Sequence, residues 1–319
     1  MSTSKRRNRY TVAFYNVENL FDITDNPKTN DDDFTPSSRL RWNKKKYHRK
    51  LSKIASVISQ LGSNQSAYPP AVIGLVEVEN AKVVKDLTRN KNLLNFNYKY
   101  VHYDSPDERG IDVALMYNND FFDVISSKTH SLLLTDDKGE VDYTRDLLVV
   151  KGVLNNEIVY VLVNHWPSRR EGEKQTEDNR IKAAELTRGV IDDIKKEDDT
   201  SKFIVMGDFN DNPHDKSVEK YLMSNDLYNP MKELHERGFG TTTHYKKWHL
   251  FDQIMFSKVF FDTEKSDHTF LGAKIFKKDW LRIYKGKYKG SPFRSYIGPF
   301  YKGGFSDHFP VYITFEKEV

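Results

Sequence analysis

Asp208 and Asn210, two apart in Met206-Gly207-Asp208-Phe209-Asn210, set a carboxylate beside an amide where an apolar run gives out. A carboxylate can take a proton from water or face a metal ion, and an amide supplies a fixed donor. The pair therefore suits a site that holds a water and a phosphate oxygen together. If extended geometry persists to Asn210, both side chains leave the same side of a strand. Taken alone, the same residues read as a strand ending in an Asx turn. Other apolar runs end or begin in the same chemistry: Asn16, Glu77, Asn164 with His165, Asp252, and Asp307 with His308. Polar loop residues placed by chance would not repeat acid, amide and imidazole so consistently, so the set is expected to converge on one edge of the fold. Asp252 lies inside an apolar strand, and a buried carboxylate needs a partner; His308 is the natural one.

The chain contains no cysteine, which excludes disulfides, thiolate catalysis and cysteine-held zinc or iron–sulfur centres. A metal here must be held by oxygen or imidazole, which favours magnesium, calcium or manganese. Apolar residues at 38% and charged residues at 30% read as a globular chain with a polar surface, not a disordered one. A net charge of +4 is too small to demand a nucleic-acid partner, though it would not repel one. No apolar stretch approaches membrane-spanning length, and the basic start Met1 to Arg9 has no apolar core behind it. A cytoplasmic protein without a leader is expected, with residues 1–9 a flexible segment and residues 10–319 one domain.

The elements that must position these residues follow from periodicity. Tyr10 to Tyr15, Ala71 to Val76, Tyr98 to Tyr103, Ile111 to Tyr117, Phe121 to Ser127, Leu147 to Leu154, Ile158 to Val163, Ile204 to Gly207, Leu250 to Ser257, Phe270 to Phe276 and Val311 to Phe315 read as strands. Asn118-Asn119-Asp120 and Asn155-Asn156 read as hairpin turns. Helical stripes run over Tyr47 to Leu61, closed by Gly62, over Val83 to Leu94 and over Arg180 to Lys196, and Ser217 to Asn225 looks helical. Hairpins interleaved with a few long helices predict an α/β sandwich of two packed sheets flanked by helices. Asp22 to Lys46 has no periodicity and reads as a long loop, with Trp42 in it unexplained.

Six segments carry a resemblance: Tyr15-Asn16-Val17-Glu18-Asn19, Gly74-Leu75-Val76-Glu77-Val78, Val163-Asn164-His165-Trp166-Pro167, Gly207-Asp208-Phe209-Asn210, Phe251-Asp252-Gln253-Ile254 and Ser306-Asp307-His308-Phe309-Pro310-Val311. In this order they resemble the motifs of the endonuclease/exonuclease/phosphatase superfamily, which includes deoxyribonuclease I, apurinic endonucleases, sphingomyelinases and inositol polyphosphate phosphatases. The resemblance implies a four-layer α/β/β/α sandwich with two mostly antiparallel sheets, and a metal-dependent phosphoester hydrolase. It further implies Glu77 as the main Mg2+ ligand, with Mn2+ or Ca2+ as substitutes, and Asn16 and Asp307 near the ion. Asp208 would orient or deprotonate the attacking water, Asn210 would hold a phosphate oxygen, and His308, steered by Asp252, would contact the scissile phosphate. His165 would donate from the other side with Asn164 beside it, and Arg145 would bind phosphate.

The motifs encode hydrolysis at phosphorus more than recognition. A nuclease is the leading expectation, and a phosphatase or phosphodiesterase acting on a small-molecule, inositol or lipid phosphate is the alternative. Trp166-Pro167-Ser168-Arg169-Arg170, similar to the bacterial nuclease-like branch, sets an indole for stacking and cations such as Arg169 beside His165. The run from Trp280 to Tyr296 interleaves cations with aromatic rings, as backbone-tracking and base-stacking surfaces require. Lys44-Lys45-Lys46 and Arg49 add charge near Trp42, but read more simply as a solvated helix face.

Overall fold

The computed structural model describes residues 7–135, 138–170 and 172–318. Among them, two large sheets are built from β1 (Arg7–Leu20), β2 (Val72–Val78), β3 (Tyr98–His102), β4 (Asp112–Asn118), β5 (Phe122–His130), β6 (Leu147–Leu154), β7 (Glu157–His165), β8 (Phe203–Asp208), β9 (Leu227–Tyr228), β10 (Asp252–Ser257), β11 (His268–Ile275) and β12 (Val311–Glu318). The first sheet runs β11-β12-β1-β2-β4-β3 and the second β9-β10-β8-β7-β6-β5. Each contains one parallel pair at its centre, β1 with β2 and β7 with β8, and every other pair is antiparallel. A parallel pair needs a crossover, and α1 (Lys44–Ile58) and α3 (Glu177–Glu197) supply the two.

Strand alternation produces the layers. Along β1, Val12 and Phe14 enter the core between the sheets, while Ala13 and Tyr15 face α1 and α2 (Ala81–Thr88). Along β8, Ile204 and Met206 meet the first sheet, while Phe203 and Val205 pack beneath α3. Three apolar cores thus separate four layers, helix on sheet on sheet on helix. No helix among the described residues is long and apolar enough to cross a membrane.

Several expectations are corrected. β1 begins at Arg7, where Arg7 and Arg9 pair with Glu316 of β12, so residues 7–9 of the segment expected to be flexible belong to a strand; Met1 to Arg6 lie outside the described residues. Asn118-Asn119-Asp120 does not close a hairpin. β4 and β5 belong to different sheets, and the chain crosses between them there. Ser217–Leu222 is one short π-helix, and helix α4 (Met231–Glu236) and the hairpin of Thr242–His244 with Lys247–His249 were not foreseen. Trp42 is buried, donating its indole N–H to the Phe21 carbonyl at 3.1 Å, which explains it as a rivet for the long loop.

Candidate active site

The carboxyl ends of both parallel pairs open on the same edge of the sandwich. Asn16 and Glu77 lie at the ends of β1 and β2, His165 and Asp208 at the ends of β7 and β8. β10 starts at Asp252 on this edge, and Asp307-His308 lead into β12. The strands do not simply stop there. Glu18, Asn19, Glu77 and Asn210 take left-handed backbone conformations, with φ of 51°, 49°, 62° and 49°. Each costs energy for a residue with a β-carbon, and such positions concentrate where function dictates the conformation. Of the two readings of Asn210, the Asx turn holds: the strand ends at Asp208, and the Asn210 N–H donates to Asp208 Oδ1 at 3.0 Å. The two side chains therefore do not leave one face of a continuing strand.

Asp208 is the hub. Its Oδ2 accepts 2.9 Å from the amide of buried Asn16, whose Nδ2 also donates to Glu77 Oε1 at 3.2 Å. The same Oδ2 lies 4.0 Å from His165 Nε2 and 3.9 Å from His308 Nε2. Behind His308, the Asp252 carboxylate holds Nδ1 at 2.7 Å, and Asp252 itself is fully buried. The two imidazoles are in opposite states. Burial drives His165 well below the ordinary histidine value, with the charges of Arg145, Arg109 and His308 adding to the shift. Burial pulls His308 the same way, but the Asp252 and Asp208 carboxylates outweigh it and hold it well above that value. Burial raises Asp208 to about 6; the His308 charge opposes this and Asp252 reinforces it. At neutral pH the edge therefore carries a neutral imidazole, a mostly ionised carboxylate and an imidazolium.

The four residues expected to bind substrate are brought to this edge but each is tied to an internal partner. Trp166 is 2% exposed, its ring edge-on to Phe209 at 4.7 Å and its N–H bonded to Asn164 Oδ1 at 3.0 Å, so the expected stacking ring is a packing residue. Asn164 Oδ1 also accepts from Thr187 at 2.8 Å. Arg169 is gripped by Asp211, Asp215 and Glu173 and donates to the Asn210 carbonyl at 2.6 Å. Arg145 bridges Asp107 at 3.0 Å and the Trp166 carbonyl at 2.8 Å. An indole or guanidinium next to a strand end looks the same in sequence whether it turns inward or outward.

Sequence reasoning missed a second network. Glu18 joins buried Lys50 of α1 at 3.3 Å and Arg294 at 3.2 Å, and Arg294 reaches Asp307 at 2.8 Å. Lys50 also donates to Ser295 Oγ at 2.6 Å and the Phe305 carbonyl at 2.8 Å, and Ser306 Oγ donates to the Asn16 carbonyl at 2.7 Å. The one available signal was a lysine on the apolar stripe of a helix, at position 50 between Tyr47 and Leu51.

The donor set fits a hard divalent cation on the Glu77 side. Glu77 receives one N–H on each oxygen, from Asn16 Nδ2 and from the Asn19 backbone at 2.8 Å, which leaves a lone pair on each for an ion. Asp307 and Glu18 add carboxylates nearby, with Lys50 and Arg294 partly balancing the charge. Asp208, Asp252 and His308 also offer mutually close ligand atoms. An imidazolium held by a carboxylate is not a metal ligand, however, so that trio reads as an acid–imidazole pair with its neighbour.

Comparison with known proteins supplies the fold's relatives. An endonuclease/exonuclease/phosphatase family protein from Bacteroides thetaiotaomicron superposes with a TM-score of 0.60 at 16% identity, covering 99% of this chain and 98% of that one. D. rerio TDP2 complexed with single strand DNA product superposes with a TM-score of 0.60 at 15% identity, covering 96% and 98%. A mannosyl-6-phosphatase of Bacteroides thetaiotaomicron gives 0.59 at 18%, covering 96% and 99%. No curated protein matches the chain in sequence. The sequence itself matches the description of one family over residues 11–317, nearly its whole length, and the chain belongs to that Endonuclease/Exonuclease/phosphatase family.

Proposed function

We propose that this protein hydrolyses phosphodiesters with the help of a divalent metal, Mg2+ by preference, and that its substrate is a nucleic acid. The observation that carries the reading is the pair of imidazoles set 4.0 and 3.9 Å from a single Asp208 oxygen, one of them backed by the buried Asp252 carboxylate at 2.7 Å. A phosphodiester is anionic and a poor electrophile, so its hydrolysis needs charge neutralisation, an oriented water and a stabilised leaving oxygen. Asp208 takes the proton of the attacking water as the new P–O bond forms opposite the one that breaks. His308, kept cationic by Asp252, and His165 Nε2–H stabilise the developing phosphoryl charge from the two sides, and Asn210 fixes an equatorial oxygen. A cation held by Glu77, with Asn16 and Asp307 beside it, would supply Lewis-acid stabilisation of the phosphoryl and leaving oxygens.

Nucleic acid is favoured over a small phosphate by exposed rings on segments that join the site at Asp307: Trp280, 38% exposed, packs on Phe305 at 5.1 Å, and Tyr245, 90% exposed, sits at the turn of the hairpin whose Thr242 donates to the Asp307 carbonyl at 2.9 Å. D. rerio TDP2 is crystallised with a single-stranded DNA product, so the fold accommodates such a ligand. The test is incubation with supercoiled plasmid, and in parallel with sugar phosphates, each with Mg2+ and with chelator. Metal-dependent nicking that disappears in Asp208→Ala is expected. Phosphate release from sugar phosphates with untouched plasmid would move the assignment to a phosphatase.

A further inference from the structure

Among Arg145, Arg169, Arg294, Lys50 and Arg109, one stands apart. Arg145 is neutralised by Asp107, Arg169 by Asp211, Asp215 and Glu173, Arg294 by Glu18 and Asp307, and Lys50 by Glu18. Arg109 differs. Its guanidinium meets a neutral amide, donating to Asn19 Oδ1 at 2.5 Å, and no carboxylate among the described residues pairs with it.

Its position is built. The loop 103–110 is pinned at its base, where Asp112 accepts from Ser105 Oγ at 2.5 Å and bonds His102 Nε2 at 3.1 Å. At its tip the Arg109 N–H donates to Asp107 Oδ1 at 3.0 Å, and the Asn30 N–H donates to the Glu108 carbonyl at 2.7 Å. Gly110, at φ +66°, lies so close to Thr29 that a β-carbon would come within 2.8 Å of it. The amide that receives Arg109 is equally fixed, since the Asn19 N–H is bonded to Glu77 Oε2 at 2.8 Å. Arg109 thus stands one residue removed from Glu77, the carboxylate that would hold the cation, and its field reaches His165.

A half-exposed guanidinium held by an amide keeps its charge and most of its five N–H donors for an incoming anion, whereas an arginine already bridged to a carboxylate has spent both. We propose that Arg109 is the residue that binds a phosphoryl oxygen of the substrate, and that Arg145 is a positioning residue that braces the Trp166 carbonyl and the Asp107 turn. The inference rests on the phosphoester reading above and adds to it the cation that recognises the ester's charge.

The experiment compares wild type, Arg109→Gln, Arg109→Lys and Arg145→Gln. Hydrolysis of bis(p-nitrophenyl) phosphate with Mg2+ and binding of inorganic phosphate by calorimetry are measured over a salt series. Arg109→Gln is expected to raise KM and the phosphate dissociation constant about tenfold and to flatten the salt dependence, with an unchanged Tm. Arg109→Lys is expected to recover part of the binding. Arg145→Gln is expected to lower Tm, because it strips Asp107 of its partner. Unchanged KM and phosphate affinity in Arg109→Gln would overturn the assignment, and so would a tenfold phosphate loss in Arg145→Gln with none in Arg109→Gln. A wild type that binds phosphate through Arg109 yet cleaves no ester would sink the functional reading while leaving this one standing.

Discussion

At the scale of single residues, the protonation states around Asp208 set a pH profile. A carboxylic acid raised to about 6 is ionised above that value, so a base at Asp208 loses activity as pH falls through about 6. His308 is raised, so its cationic form is present below its folded value and lost as pH climbs through it. The profile of kcat/KM should therefore be bell-shaped, with an acid limb near 6 and an alkaline limb above the ordinary histidine range. Asp252→Asn removes the partner that holds His308 up and should move the alkaline limb toward acid, with kcat reduced. A limb that stays in place would show that His308 is not the group being titrated. Asp208→Asn should lower kcat by about 10²–10⁴-fold without unfolding the chain. Asn210 separates catalysis from stability. Its φ of 49° suits glycine, so Asn210→Gly should leave the unfolding free energy from chemical denaturation within about 1 kcal/mol of wild type while kcat falls. These residues were legible because each sits where a hydrophobic run ends, a boundary that sequence marks plainly. Glu18, Lys50 and Arg294 were not, because Lys50 meets Ser295 from 245 residues away and Arg294 meets Glu18 from 276, and no local pattern announces either contact. The Asx turn at Asn210 was one of two readings the residues left open, since an Asx turn and a continuing strand share the same sequence.

At the scale of elements, the central strands of the two sheets touch through Gly74 of β2 and Met206 of β8. A β-carbon at Gly74 would lie 2.5 Å from the Met206 sulfur. That contact brings the strand carrying Glu77 against the strand carrying Asp208, so the spacing of the site depends on a missing side chain. Gly74→Ala is expected to cost about 1–3 kcal/mol in urea denaturation, and Met206→Val in the same chain should recover part of it. A neutral Gly74→Ala would mean the sheets can part without loss. Sequence patterning located nearly every strand, because a near-continuous apolar run is what a strand between two cores requires. It could not say which sheet a strand joins. The turn at Asn118-Asn119-Asp120 is chemically a hairpin turn, yet the chain uses it to pass from one sheet to the other, since β5 finds its partner in β6.

At the scale of the whole molecule, the sandwich has a reactive end and a structural end, and the second can be probed without touching the first. Away from the site, Glu157 at the start of β7 lies between His268 of β11, at 2.5 Å, and Lys202 just before β8, joining the two sheets with a buried carboxylate. Burial alone would raise Glu157, but hydrogen bonds from His268, Lys202 and Ser266 and the His268 charge outweigh it and bring it down to about 2. A carboxyl whose folded value is depressed stabilises the fold fully above its unfolded value, near 4.5, and loses that contribution as pH falls through its folded value. The interval from about 4.5 down to about 2 is therefore where this end of the sandwich weakens. Allowing for partial solvent contact, the shift corresponds to about 2–3 kcal/mol at neutral pH. Glu157→Gln should lose stability of that order at pH 7 and show a flatter decline on acidification. Its kcat on a phosphodiester should be unchanged, because no site residue contacts the His268–Glu157–Lys202 network. Equal acid slopes for the two proteins in chemical denaturation would mean that this bridge between the sheets contributes nothing to their union.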